Sequence, residues 1–513
     1  MRYVAGIDIG TTGAKTIIFD EEGTPLEGSY CEYECLYPHP LWVEQSPDEL
    51  LNAAISTLRD AFQKSGLDKN DLYAISFSTQ RSCVIFLDEA GKPLCNMISW
   101  QDGRTANEVR EIENVISAER FYDVTGLLLG TTWVLPKILW VRKKQAELWE
   151  KTRRIVQLHD YIAKSFGAEE YVVPKTDCGL SGLWNVFSGE YEKDFAEKFE
   201  IDASMLSNVS NVGVCMGSIS KEIAQKTGLS EKTLLCSGAG DQSAAAVGAG
   251  IVDEGKLSVS MGTGGMMIAC MNQPRKDPNK AFLVTDHAMQ NKWEWEGLQK
   301  GSAGIYRWFR DEIAGEEASL AKAQGKDVYD ILGELAAKVP AGAKGLLVLP
   351  FFAASATPRW NMEARGVILG LTFAHDRACL ARAFMEGITM EFKDMLHYIK
   401  QSGIHPSDIT VMGGPTKSSL WNSIQASMYG VPVHTLKVPD ASVLGAAAFA
   451  AVGAGIYKDI AEAVQAMVKP DKSYEPNGEW EKIYNDQYEA YVASYDGLES
   501  KAFQLIAKQQ EGC

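Results

Sequence analysis

Residues 6–20 read GIDIGTTGAKTIIFD, and residues 257–270 read LSVSMGTGGMMIAC. In each, apolar and β-branched residues flank a core of Gly, Thr and Ser, which is the pattern of strand, tight turn, strand. Glycine accepts φ > 0 and carries no side chain, so such a turn lets backbone amides approach an anion closely. One Gly-Thr hairpin needs no ligand. Two of them, half a chain apart, point to a duplicated domain whose halves face each other across a phosphate, and so to nucleotide chemistry.

The segments around the hairpins alternate strand and helix. After the first hairpin the pattern predicts a third strand over 28–36. An amphipathic helix over 47–64 follows, with Leu50, Leu51, Ala54, Leu58 and Phe62 at helical spacing, and then a buried strand over 73–78. After the second hairpin it predicts a helix over 380–399, a strand at ITVMGG (409–414), a helix over 418–429, a strand over 432–436 and an Ala-rich helix capped by Asp440. This is an α/β architecture of mixed sheets covered by helices. A chain of 513 residues is too long for one core. Two domains, 1–250 and 251–513, are expected, joined at the Gly-rich AVGAGIVDEG (246–255).

The formal charge of −17 argues against nucleic acid, which needs a basic surface to displace phosphate counterions. The longest apolar runs, 345–356 and 443–456, are too short or too interrupted by Gly to span a bilayer. Ten cysteines have no framework or metal-ligand spacing, which fits idle thiols in a reducing compartment. With a strand beginning almost at the first residue and no leader pattern, a cytoplasmic protein is expected.

Four constellations carry the candidate chemistry. Asp8 ends a buried strand beside the first turn, where a carboxylate either holds Mg²⁺ with its waters or fixes its own turn, while Thr11, Thr12 and Lys15 offer groups to phosphate oxygens. In SGAGDQSAAAVGAG (237–250), Asp241 has the position of a helix N-cap. The small residues crowded around it imply close approach by another backbone or a ligand, and an unhindered carboxylate there suits a base for an attacking hydroxyl. In MGGPTKSSLWNS (412–423), Gly413 and Gly414 leave room for an adenine ring, or simply join strand to helix. Finally, TQRS (79–82) and SWQDGRT (99–105) gather planar hydrogen-bonding groups and Trp100, as a sugar site does and as a solvated loop also can.

These motifs, with the stretch beginning KILWVRK at Lys137 and ARGVILGLTFAHDRACLARAFMEG (364–387), resemble the FGGY family of carbohydrate kinases in order and over nearly the whole chain. The resemblance implies two actin-like, ribonuclease-H-like domains with the active site in the cleft between them, ATP with Mg²⁺ as phosphoryl donor, and a small sugar or polyol as acceptor. Carried over position by position, it implies Asp241 as general base and Asp8 near the metal. The ATP-binding set is Thr11, Thr12, Lys15, Gly262, Thr263, Gly304, Gly413, Gly414 and Asn422. The acceptor contacts are Gln80, Arg81, Trp100, Asp102, Asp241 and Gln242. A homodimer is compatible with it.

The sequence departs from the pattern where the acceptor is chosen. Ser82 stands where the similar glycerol-kinase loop carries Glu, and Thr132, next to Trp133, where it carries Tyr. Val134 and Cys379 depart from the family signatures at positions away from the chemistry. The 364–387 segment is most similar to xylulokinases and related kinases of ketoses and signal sugars, which favours a ketopentose such as xylulose over glycerol. Two other readings stay open: a nucleotide-driven conformational protein of the actin-like superfold, and a sugar sensor without catalysis.

Overall fold

The computed structural model describes residues 2–510. Two seven-stranded mixed sheets organise it. The first contains β1 (Tyr3–Ile9), β2 (Gly13–Asp20) and β3 (Pro25–Glu32), then, beyond helix α1 (Pro47–Ser65), β4 (Leu72–Thr79), β5 (Cys215–Ser218) and β6 (Leu234–Cys236). Its order is β5-β6-β4-β1-β2-β3, with a short strand at Ala239–Gly240 also paired to β4. Helix α2 (Asp241–Gly248) then leads into the second sheet. This holds β7 (Lys256–Met261), β8 (Gly265–Met271), β9 (Leu283–Asp286) and β10 (Trp293–Gln299), followed past α3 (Ala303–Glu312) and α4 (Arg377–Gln401) by β11 (Asp408–Gly413). Beyond α5 (Ser419–Tyr429) come β12 (Val433–Leu436), α6 (Ala441–Gly453) and β13 (Pro470–Tyr474), in the order β9-β10-β8-β7-β11-β12-β13.

The two sheets repeat one plan. In each, an antiparallel hairpin (β1–β2, β7–β8) has an antiparallel strand beyond its second arm (β3, β10) and parallel strands beside its first (β4 and β6, β11 and β12). The registers end alike: Ile9 pairs with Thr79, and Met261 with Gly413. Each hairpin turn therefore lies beside the loop leaving a parallel strand, TQRS in one half and the double glycine in the other. The third strand runs over 25–32, earlier than the expected 28–36, because Pro25 opens the pairing with Phe19 across a register shift.

Each sheet is covered by a helix from the opposite half. Helix α6 lies on β1, where a Cβ on Gly6 would stand 1.9 Å from the Val443 carbonyl oxygen. Ala246 and Ala249, at the end of α2, pack with Ile268, Cys270 and Met412 of the second sheet. The two helices cross at glycine: a Cβ on Gly248 would meet Ala441 O at 1.9 Å, and one on Gly445 would meet Ala244 O at 2.0 Å. The small residues around Asp241 are thus explained by another backbone. Among the described residues, no helix is long and apolar enough to cross a membrane.

Candidate active site

The first turn, Gly10 to Thr12, is braced from four directions. The Gly10 carbonyl accepts from Tyr33 Oη at 2.6 Å and Gln80 Nε2 at 3.1 Å, and the Thr11 carbonyl accepts from Gln45 Nε2 at 2.9 Å. Trp100 Nε1 donates to Thr11 Oγ1 at 3.0 Å, and Gln80 Nε2 donates also to Gln45 Oε1 at 2.8 Å. Thr12 stays exposed. Gln80, expected at the acceptor, therefore uses its amide to fix the turn and is buried. Trp100 keeps an exposed face. Gln45 and Tyr33 were not legible as site residues, since neither lies near a motif in sequence.

The second turn exposes Gly262 and Thr263. The Gly304 amide donates to Gly262 O at 3.2 Å and that of Ser302 to Thr263 O at 3.0 Å, so the start of α3 is sewn to the turn. Gly304 must lack a side chain, because a Cβ there would lie 2.8 Å from Thr263 O.

Asp8, beside the first turn, accepts from Ser78 Oγ at 2.5 Å. Burial pushes its carboxyl up to about 7 against the Ser78 bond, and the nearby charges of Asp241 and Asp440 add to the rise. Lys15, opposite Asp8 in the hairpin register, places Nζ 2.5 Å from Asp440 Oδ1. Asp440 occupies the N-cap position of α6 but makes no capping bond, because its carboxylate is turned to Lys15.

Asp241 is the first residue of α2, and Gly240 holds the N-cap position instead. Residue 240 is glycine for a local reason: a Cβ there would lie 2.1 Å from Arg81 Cδ. Asp241 Oδ1 accepts from the Gln242 amide at 2.8 Å and lies 3.3 Å from Arg81 Nε, and Oδ2 accepts from Gln242 Nε2 at 3.2 Å. Burial raises the Asp241 carboxyl, and Arg81 and Gln242 oppose the rise. About a third of its side chain remains accessible, at 31%. Arg81 itself is paired with Glu296 of β10, Nη1 to Oε1 at 2.7 Å and Nη2 to Oε2 at 2.6 Å.

Asp102 is fully buried and faces Arg104 and the Val43 amide, which donates to Oδ2 at 2.6 Å, so its carboxylate shapes the SWQDGRT loop and does not reach the cleft. Ser82 adopts φ +58, and its carbonyl accepts from the buried Lys137 Nζ at 2.7 Å. On the opposite side Gly413 takes φ +94, and a Cβ there would lie 2.2 Å from Met261 O, whereas Gly414 has nothing within 4 Å. Only Gly414 leaves room for a ligand. Asn422 is buried and donates from Nδ2 to Thr416 O at 2.8 Å, bracing the turn.

Two phosphate-type turns, each buttressed from its own half, and a carboxylate held by arginine define a two-domain phosphotransferase of the actin-like α/β class. Family models for the N-terminal and C-terminal domains of the FGGY family of carbohydrate kinases match residues 3–248 and 257–454. The chain belongs to the FGGY family of carbohydrate kinases and is a sugar kinase.

Among its relatives, a xylulose kinase of Staphylococcus epidermidis is 29% identical over 497 residues, covering 96% of each chain. A gluconokinase of Bacillus licheniformis is 27% identical over 99% of this chain and 98% of its own. An autoinducer-2 kinase of Enterobacter sp. is 27% identical over 96% of this chain and 94% of its own. The crystal structure of ligand-bound xylulose kinase from Lactobacillus acidophilus superposes with a TM-score of 0.90 at 23% identity, over 99% of this chain and 100% of that one. Plasmodium falciparum glycerol kinase with ADP superposes at 0.85 and 20% identity, over 96% of this chain and 98% of that one.

Proposed function

We propose that the protein transfers the terminal phosphoryl group of ATP to a terminal hydroxyl of a small sugar, with a ketopentose such as xylulose the favoured acceptor. The observation that carries the reading is the Asp241 carboxylate. It is oriented by Arg81 and Gln242, partly accessible, and near enough to Asp8, beside the first turn, for their charges to oppose. Domains 1–250 and 251–513 would each supply one phosphate turn, with Thr11, Thr12 and Lys15 from the first and Gly262, Thr263 and Gly304 from the second. Gly414 would lie against adenosine. Trp100 and Gln242 would flank the acceptor.

Phosphoryl transfer through a loose transition state depends on positioning and charge stabilisation, so Asp241 first orients the hydroxyl and takes its proton late. Asp8 suits Mg²⁺: a hard cation takes carboxylate oxygen while keeping water and phosphate ligands, and positive charge there relieves the repulsion from Asp241. Bound there, the ion would offset charge on the transferred group.

The ketopentose is supported by the xylulose kinases among the relatives and by the 364–387 segment. A polyol or quorum-signal sugar is the second reading, and the autoinducer-2 kinase relative supports the signal sugar. The test is ADP release with MgATP over ketopentoses, aldoses, sugar acids, polyols and glycerol, beside Asp241→Asn. One sugar giving turnover well above idle hydrolysis, lost by about 10²–10⁴-fold in the variant, is the expected result. Full turnover in Asp241→Asn would refute the assignment of the base.

A further inference from the structure

The Arg81–Glu296 pair joins the two halves directly behind Asp241. Arg81 follows β4 of the first sheet, and Glu296 lies on β10 of the second. Both are buried, with side-chain exposures of 9% and 1%. The two terminal nitrogens of the guanidinium are each bonded to one Glu296 oxygen, which leaves Nε as the edge facing Asp241 Oδ1 at 3.3 Å. Glu296 is fixed in turn by Thr285, whose Oγ1 donates to Oε1 at 2.7 Å. The arginine stem lies over Gly240, the one residue type that fits beneath it.

From this we infer that Glu296 is a positioning residue for phosphoryl transfer: by occupying both terminal nitrogens of Arg81, it limits the arginine to a single lateral contact with Asp241 and leaves the carboxylate free to receive the acceptor's proton. The inference rests on Asp241 being the base. A bidentate arginine–carboxylate pair is the favoured geometry whenever both partners are free, so without the Glu296 charge Arg81 turns its fork onto Asp241 and ties up both oxygens. Burial alone would raise the Glu296 carboxyl, but Arg81 and the Thr285 hydroxyl outweigh it and hold the group below its ordinary value. The neighbouring Glu294 cannot substitute. It accepts from Ser243 Oγ at 2.6 Å, the His287 ring 3.9 Å from its Oε2 is kept neutral by burial, which lowers it to about 3, and burial beside the Glu296 charge pushes Glu294 up to about 8.

The experiment is steady-state kinetics on Glu296→Gln, Arg81→Met and the double variant, with Asp241→Asn alongside and the best acceptor of the panel. Glu296→Gln is expected to lower kcat by about 10²-fold, within the range that a misplaced proton acceptor costs, with KM for MgATP within about twofold of the parent. Arg81→Met loses activity in its own right, because Arg81 orients Asp241; adding Glu296→Gln to it is expected to cost nothing further, since Glu296 acts through Arg81. Losses that multiply in the double variant, or a Glu296→Gln enzyme with parental kcat, would overturn the inference. Should Glu296→Gln fail to fold, Thr285→Val, which removes one bond to the same carboxylate, is expected to lower kcat severalfold at unchanged KM, and parental kcat there overturns the inference too. Turnover in Asp241→Asn would instead bring down the reading of the base, whatever Glu296 does.

Discussion

Lys15 Nζ lies 2.5 Å from Asp440 Oδ1, so a hairpin at the start of the chain is ion-paired to the first turn of a helix more than four hundred residues later. Both side chains are about one-third exposed, at 36% and 33%, and such a pair is worth at most about 1 kcal/mol. Asp440→Asn should therefore lower the thermal midpoint by only a few degrees. Its larger effect is expected on the nucleotide: with its partner neutralised, Lys15 would present an unopposed charge to the phosphates it is proposed to meet. KM for MgATP is expected to fall severalfold in Asp440→Asn and to rise by about tenfold or more in Lys15→Met, the loss of one charge-assisted contact. An equal rise in both variants would make the pair a structural clasp and remove Lys15 from the phosphate site.

Glu391 of α4 supplies a pH prediction. Burial pushes its carboxyl up to about 8, against the hydrogen bond that Gln299 Nε2 gives to Oε2 at 2.9 Å. Between the unfolded value of about 4.5 and the folded value, the native state holds a proton that the unfolded chain has released. Stability is then lost as pH rises through that window, by at most about 1.4 kcal/mol per pH unit. Glu391→Gln should flatten the decline and give a higher thermal midpoint than the parent at pH 8, with the two closer at pH 5. Melting curves of both proteins across that range decide it; parallel curves would mean that Glu391 ionises as freely in the folded protein as outside it.

The sequence made the hairpins plain because Gly and Thr between β-branched runs have few other uses, and the helical spacing of Leu50, Leu51, Ala54, Leu58 and Phe62 marked α1 equally well. It hid the supporting groups. WEWEG in β10 alternates as though Glu294 and Glu296 faced water, yet both faces of that strand are covered and the two acids are buried behind Asp241. Asp102 and Gln80 sat in loops of the right composition, and only the fold shows that Arg104 and the first turn claim them. Asp440 had a cap's position, and a cap's local rule cannot anticipate a lysine on a distant strand. Local chemistry set the strands and turns; tertiary contacts, within each half and between the halves, set which polar atoms remain free for ligands.

The crossing of α2 and α6 gives a stability prediction with a catalytic consequence. Gly445→Ala sets a Cβ about 2.0 Å from the Ala244 carbonyl oxygen, a backbone atom that cannot swing aside. Overpacking against side chains costs about 1–3 kcal/mol, and against fixed backbone the upper end or more is expected. Asp241 begins the helix that must yield, so the folded fraction should also show reduced kcat. Chemical denaturation and kinetics corrected for folded protein measure the two effects. A variant with parental stability would show that the helices can slide apart at this contact.

Gly413 and Gly414 are adjacent, yet their substitutions should fail in different ways. Gly413 has φ +94 and no room, since its Cβ would lie 2.2 Å from Met261 O, at the end of the strand leading into Gly262 and Thr263. Gly413→Ala is expected to cost about 3 kcal/mol of stability through both strain and contact, and to disturb the second phosphate turn. Gly414 has no atom within 4 Å of its would-be Cβ, so Gly414→Ala should leave stability within about 0.5 kcal/mol of the parent. Its methyl group would instead stand where the adenosine is proposed to meet backbone. KM for MgATP should rise by about tenfold, ADP should bind correspondingly more weakly in direct titration, and the KM for the sugar should hold. Unchanged ADP affinity in a folded Gly414→Ala protein would move the nucleotide base away from this turn.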